Sequence, residues 1–86
     1  MVNPEPEERE PPELTRRVAD NIRYYRKLRR LNQRELSAAI GAAESYISTI
    51  ENVPRQPSFL MAMRICRQLG IEPEALLKPM VESSSG

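Results

Sequence analysis

Leu31-Asn32-Gln33-Arg34-Glu35-Leu36-Ser37-Ala38-Ala39-Ile40-Gly41-Ala42-Ala43-Glu44-Ser45-Tyr46-Ile47-Ser48-Thr49-Ile50-Glu51-Asn52 reads as two short helices joined at one glycine. Asn32 is a favoured N-cap, and Glu35 three residues on can reach back to the Asn32 amide, the reciprocal capping arrangement of a helix start. A helix therefore begins at Gln33. Leu36, Ala39 and Ile40 recur at helical spacing, and Gly41 then supplies the positive φ that lets the chain leave the helix and turn.

On a helical wheel the segment after Gly41 separates into two faces. Ala43, Ile47 and Ile50 form the inner one, with Glu51 beside Ile47 at its margin. Glu44, Ser45, Ser48, Thr49 and Asn52 form the outer one, short polar side chains with hydrogen-bonding ends. Such a face suits base edges in a DNA groove; it equally suits the solvated side of an amphipathic helix. These residues alone leave both readings open.

Outward from this stretch, the order Ile22-x-x-Tyr25-Arg26, Leu31-x-Gln33-x-Glu35-Leu36-x-x-x-Ile40-Gly41, Ile47-Ser48-x-Ile50-Glu51-Asn52, Pro57-Ser58-Phe59 and Gln68-Leu69-Gly70-Ile71 resembles the DNA-binding domain of the Cro and phage-repressor helix-turn-helix family, the xenobiotic-response-element-like transcriptional regulators. The resemblance spans roughly Ile22 to Leu77. It implies an all-α, five-helix repressor-like domain whose second and third helices form the helix-turn-helix. It further implies a sequence-specific regulator of double-stranded DNA, a repressor acting as a homodimer on a near-palindromic operator, with Ala43–Asn52 as recognition helix.

Carried onto this chain, the family pattern makes Gln33 a phosphate contact and Glu44, Ser45 and Thr49 base readers, with Ser48 close enough to contribute. Asn32 and Gln33 together offer a polar side chain and unpaired helix-start amides to a phosphate oxygen, and Asn52 and Arg55 are expected along the same backbone. Arg26 and Glu51 match a pair that forms a partly buried ion pair between the first helix and the recognition helix.

Three residues depart from the pattern. Ala43 stands where a Ser or Thr N-cap is usual, so the helix start is expected to lack a side-chain cap. Glu44 repels phosphates and can accept only from groups such as the cytosine amino group. Val53-Pro54 replaces a usual glycine, and valine tolerates positive φ poorly, so the loop is expected to take another path. No Lys or Arg lies in the recognition helix itself, so bidentate guanine reading from its face is not available.

Charge is uneven although the net is +1. Residues 1–13 carry Glu5, Glu7, Glu8, Glu10 and Glu13 against Arg9, a balance of −4. Residues 14–40 carry Arg16, Arg17, Arg23, Arg26, Lys27, Arg29, Arg30 and Arg34 against Asp20 and Glu35, a balance of +6. That excess sits on elements that in this fold flank the groove-binding helix and face the phosphates. It is also what a solvated, charged helix would carry.

The remaining expectations concern boundaries and exclusions. Residues 1–13 read as a disordered, acidic, Pro-rich arm able to compete weakly with DNA; residues 14–78 as the domain; residues 79–86 as a flexible tail. A first helix is expected from about Arg16 to Arg30, capped by Thr15, with Val18, Ile22 and Tyr25 inward. Phe59, Ala62, Met63, Cys66 and Leu69 form an inner stripe of the fourth helix, and Pro73 opens a short fifth helix through Lys78. Leu60, Met61, Met80 and Val81 are the candidate homodimer surface.

With no histidine and one cysteine, a Cys/His metal site is excluded, and neither Ser45 nor Ser48 has a histidine to activate it as a nucleophile. No enzyme activity and no cofactor are expected. Cys66 reads as a small buried hydrophobe. No apolar run approaches the length that crosses a bilayer, and a cytoplasmic protein is expected. The rival reading is a protein-interaction module, antitoxin-like or an adaptor, that uses the same fold to bind a protein partner.

Overall fold

The computed structural model describes residues 12–53 and 55–79. Over these the chain is all-helical: α1 Pro12–Leu28, α2 Gln33–Ala39, α3 Tyr46–Asn52 and α4 Phe59–Leu69, followed by a 3₁₀ helix Pro73–Leu77. Four α-helices and a 3₁₀ turn thus stand where five helices were expected. With Pro73 presetting its first turn and Pro79 close behind, the last segment is too short to propagate an α-helix. Met80, Val81 and the arm before residue 12 lie outside the described residues.

α1 starts four residues before the expected Arg16. Proline is favoured at the first helical position, and Glu13 complements the positive end of the helix dipole, so the helix nucleates at Pro12 and Thr15 falls inside it. Val18, Ala19 and Ile22 form its buried stripe, with Tyr25 packed at the edge. The core closes with Leu36 and Ile40 of α2, Ile47 and Ile50 of α3, Ile65, Cys66 and Leu69 of α4, and Leu76. Asn21 is buried with them because its Nδ2 donates to the carbonyls of Leu76 (2.9 Å) and Lys78 (2.8 Å), pinning the 3₁₀ segment on α1.

Three helices end alike. A residue with positive φ follows each, and the next amide donates back five residues: Leu31 to Arg26 (3.1 Å), Ala42 to Ser37 (2.9 Å) and Ile71 to Cys66 (3.0 Å). At α2 and α4 the positive-φ residue is Gly41 (75°) or Gly70 (71°), whereas at α1 it is Arg30 (60°). Arg29 and Arg64 reinforce two of these ends by donating to the carbonyls of Leu69 (2.8 Å) and Ile40 (3.2 Å). Part of the basic run is therefore used to terminate helices inside the domain.

α4 corrects two expectations. Phe59 shares the stripe of Ala62 and Cys66, but as the first helical residue it overhangs the end of the core and is 81% exposed. Met61, expected on the outside, is half-buried against the core because it lies one turn before Ile65 on the same face. Leu60 is exposed as expected. Buried Cys66 has its thiol pushed up in pKa by desolvation and by the nearby Glu72. No helix among the described residues is long and apolar enough to cross a membrane.

Candidate nucleic-acid interface

The two helices around Gly41 are held by different caps. At α2, Asn32 Oδ1 accepts from the Glu35 amide at 2.7 Å, and Glu35 Oε1 accepts from the Asn32 amide at 2.8 Å. The Asn32 amide is thereby used within the chain, a correction to its expected availability for phosphate. Nδ2 remains the donor of Asn32.

α3 begins at Tyr46, three residues later than expected. The Tyr46 amide donates to the carbonyl of Ala43 (3.0 Å), so residues 43–45 form a turn, and Ala43 is exposed instead of lining the inner face. Ser45 takes the N-cap position without a side-chain cap bond. The cap comes from α2: Ser37, fully buried, accepts from the Ile47 amide at 3.1 Å through its Oγ. Local sequence carries no signal for a cap ten residues away.

On the outer face, Glu44 and Ser45 are exposed and Ser48 and Thr49 half-buried. Arg34 Nη2 lies 2.6 Å from Glu44 Oε2, both side chains largely in solvent, so the acidic residue at the front of α3 is paired by a cation from α2. Asn32, Arg34, Glu35, Ala38, Ala42 and Glu44 line a shallow cleft there.

Behind this face sits Glu51, 1% exposed. Arg26, itself buried, grips it with a two-pronged bond, Nε to Oε2 at 2.7 Å and Nη2 to Oε1 at 3.0 Å. Gln33 Nε2 donates to Oε1 at 3.0 Å and Arg23 Nε at 3.3 Å. Desolvation alone would raise the Glu51 carboxyl, but hydrogen bonds from Arg26, Gln33 and Arg23 together with the Arg26 charge outweigh it and hold the group below its ordinary value. Burial of the pair is deeper than the partial burial expected, because α1 closes over Glu51.

Of the expected phosphate contacts, Gln33 and Asn52 gather at this network. Asn52 donates from Nδ2 to Ser48 Oγ (3.3 Å), and its Oδ1 accepts from Arg23 Nη2 (3.4 Å). Arg55 stands apart, exposed in the segment before α4. Val53 leaves α3 in an extended conformation (φ −116°, ψ 93°), the path a β-branched residue can take where a glycine would turn. Arg23 and Arg34 figure in the sequence only as part of the basic excess; each meets its partners, Glu51 with Asn52 and Glu44, on a different element of the chain. Among the described residues, no group of His, Cys, Asp or Glu is arranged to hold a metal ion.

A helix-turn-helix family model matches residues 22–76, from the middle of α1 to the 3₁₀ helix. No curated protein matches the chain. Among solved structures, the restriction-modification controller protein C.AhdI from Aeromonas hydrophila is 26% identical with a TM-score of 0.66, over 72% of this chain and 94% of that one. The N-terminal DNA-binding domain of SinR from Bacillus subtilis is 29% identical with a TM-score of 0.67, over 76% and 96%. SinR solved in complex with DNA is 31% identical with a TM-score of 0.66, over 71% and 98%. The fold is that of DNA-binding transcription regulators, and the chain belongs to the Cro/C1-type helix-turn-helix family.

Proposed function

We propose that this chain is a DNA-binding transcriptional regulator, a repressor that acts as a homodimer on a near-palindromic operator. The observation that carries the reading is the outer face of α3. Ser48 and Thr49, with Glu44 and Ser45 in the turn before them, project from a helix whose other side is locked into the core by Ile47, Ile50 and Glu51. A rigid helix with short hydrogen-bonding side chains meets base edges without first ordering long ones. Likeness to SinR, solved with DNA, and to the controller C.AhdI supports the same assignment.

In this reading Glu44, Ser45, Ser48 and Thr49 read bases, while Gln33, Asn32 Nδ2, Asn52 and Arg55 hold phosphates. The binding domain begins with α1 at Pro12, two residues before the expected boundary, and runs to residue 78, with the acidic stretch before it as an arm. Leu60 remains a candidate for the homodimer contact, together with Met80 and Val81. A second reading, a protein-interaction module, is favoured by one observation: Phe59 and Leu77, both exposed, line one apolar cleft with Met63 and Leu76.

Enrichment of bound sequences from a random duplex pool tests the proposal. It predicts recovery of two related half-sites about 34 Å apart, or a multiple of that spacing. A pool that shows no enrichment even at low salt removes the DNA reading and leaves the protein-interaction module.

A further inference from the structure

The network around Glu51 holds one cation more than its charge requires. Arg26 alone meets the carboxylate with two short bonds, 2.7 and 3.0 Å, and is buried with it. Arg23 adds a second guanidinium at longer range: Nε to Glu51 Oε1 at 3.3 Å, Nη2 to the Glu51 carbonyl at 3.5 Å and to Asn52 Oδ1 at 3.4 Å. Two guanidiniums against one carboxylate leave a surplus of one positive charge. The surplus resides on Arg23, whose side chain is 40% exposed, against 8% for Arg26.

Its position gives that charge a use. The C-terminal end of a helix carries partial negative charge on its last carbonyls, which disfavours an approaching phosphate. α3 ends at Asn52 and contains no Lys or Arg of its own. Arg23 covers that end from α1, touching one carbonyl and the Asn52 side chain, and these contacts leave Nη1 unused. Gln33, which shares Glu51 Oε1 with it, stands on the same side.

We infer that Arg23 is a phosphate-contacting residue, the cation that lets a DNA backbone pass the C-terminal end of α3 between Gln33 and Asn52. The inference rests on the DNA-binding reading. Arg26 stays paired with Glu51 when Arg23 is neutralised, so the domain is expected to fold without it. A purely structural Arg23 would serve only to tie α1 to the end of α3.

Duplex affinity of the full chain across 50–200 mM salt separates these roles, using wild type, Arg23→Gln, Arg23→Met and Arg23→Lys, each with its thermal midpoint. Each neutralised phosphate contributes a slope of about 0.9 in log affinity against log salt. Both neutral variants should lose about that much slope, so their deficit relative to wild type shrinks roughly threefold over the range. Arg23→Lys should keep the slope. The loss should be equal on cognate and unrelated duplexes. Wild-type binding with unchanged slopes in Gln and Met overturns the assignment alone, whatever happens to the midpoints; a wild type that binds no duplex overturns it together with the DNA reading.

Discussion

Arg26 and Glu51, 25 positions apart in sequence, are joined by a bidentate ion pair at 2.7 and 3.0 Å from which solvent is almost wholly excluded. The bond fixes α3 to α1. Truncation of Glu51 would strand Arg26 without its anion, so Glu51→Ala is predicted to cost about 3–5 kcal/mol in urea unfolding. A loss under about 1 kcal/mol would mean the pair does not anchor α3.

The same carboxylate predicts a pH dependence. Its folded pKa is lowered, so its stabilisation is complete above the unfolded value, about 4.3, and is lost as pH falls through the folded value. Urea midpoints should drop from pH 7 toward pH 3 more steeply in wild type than in Glu51→Gln. Parallel pH profiles would contradict the assignment.

Ser37 Oγ caps α3 from a fully buried position in α2. Ser37→Ala leaves the Ile47 amide buried without an acceptor, at a cost of about 1–3 kcal/mol. Hydrogen exchange at the Ile47 amide should accelerate beyond that global loss, and an unchanged exchange rate would show the cap to be dispensable.

Positive φ at Gly41 and Arg30 predicts effects of opposite sign. A Cβ at Gly41 would meet only Arg64 Nη1 at 3.6 Å, an ordinary contact, so Gly41→Ala should pay only for its left-handed backbone, about 1–2 kcal/mol. Arg30→Gly removes such strain and should stabilise by about 0.5–1 kcal/mol, net of the added chain entropy. Thermal midpoints moving in the same direction would refute the pairing.

Arg34 and Glu44 form an exposed pair that contributes little to stability. In the proposed DNA reading its weight falls on recognition. Glu44 accepts only, which suits cytosine, whereas glutamine suits adenine. Glu44→Gln should leave the thermal midpoint in place while moving base preference at one position by roughly 1–3 kcal/mol, read from sites enriched by the two proteins. A uniform change in affinity across sequences would assign Glu44 to the backbone instead.

What was legible in the sequence was local. Asn32 with Glu35 and Gly41 act through neighbours three or four residues away, so residue type and spacing suffice to place the α2 boundaries. Ile47 and Ile50 declare their face by periodicity. The Ser37 cap, the reach of Arg34 to Glu44 and the meeting of Arg23 with Glu51 and Asn52 depend on how helices cross, which periodicity does not encode. Phe59 misled because a stripe gives direction but not where the core ends. The start of α1 is not legible because proline, a breaker inside a helix, is an initiator at its first turn.

The most direct test of the central claim is the affinity of the full chain for its enriched duplex at 50 and 200 mM salt. Neutralising about four phosphates would weaken binding roughly hundredfold over that range. That is the predicted result, with Thr49→Ala altering base preference and Gln33→Ala weakening all sequences alike. Absence of duplex binding at 50 mM salt would contradict it.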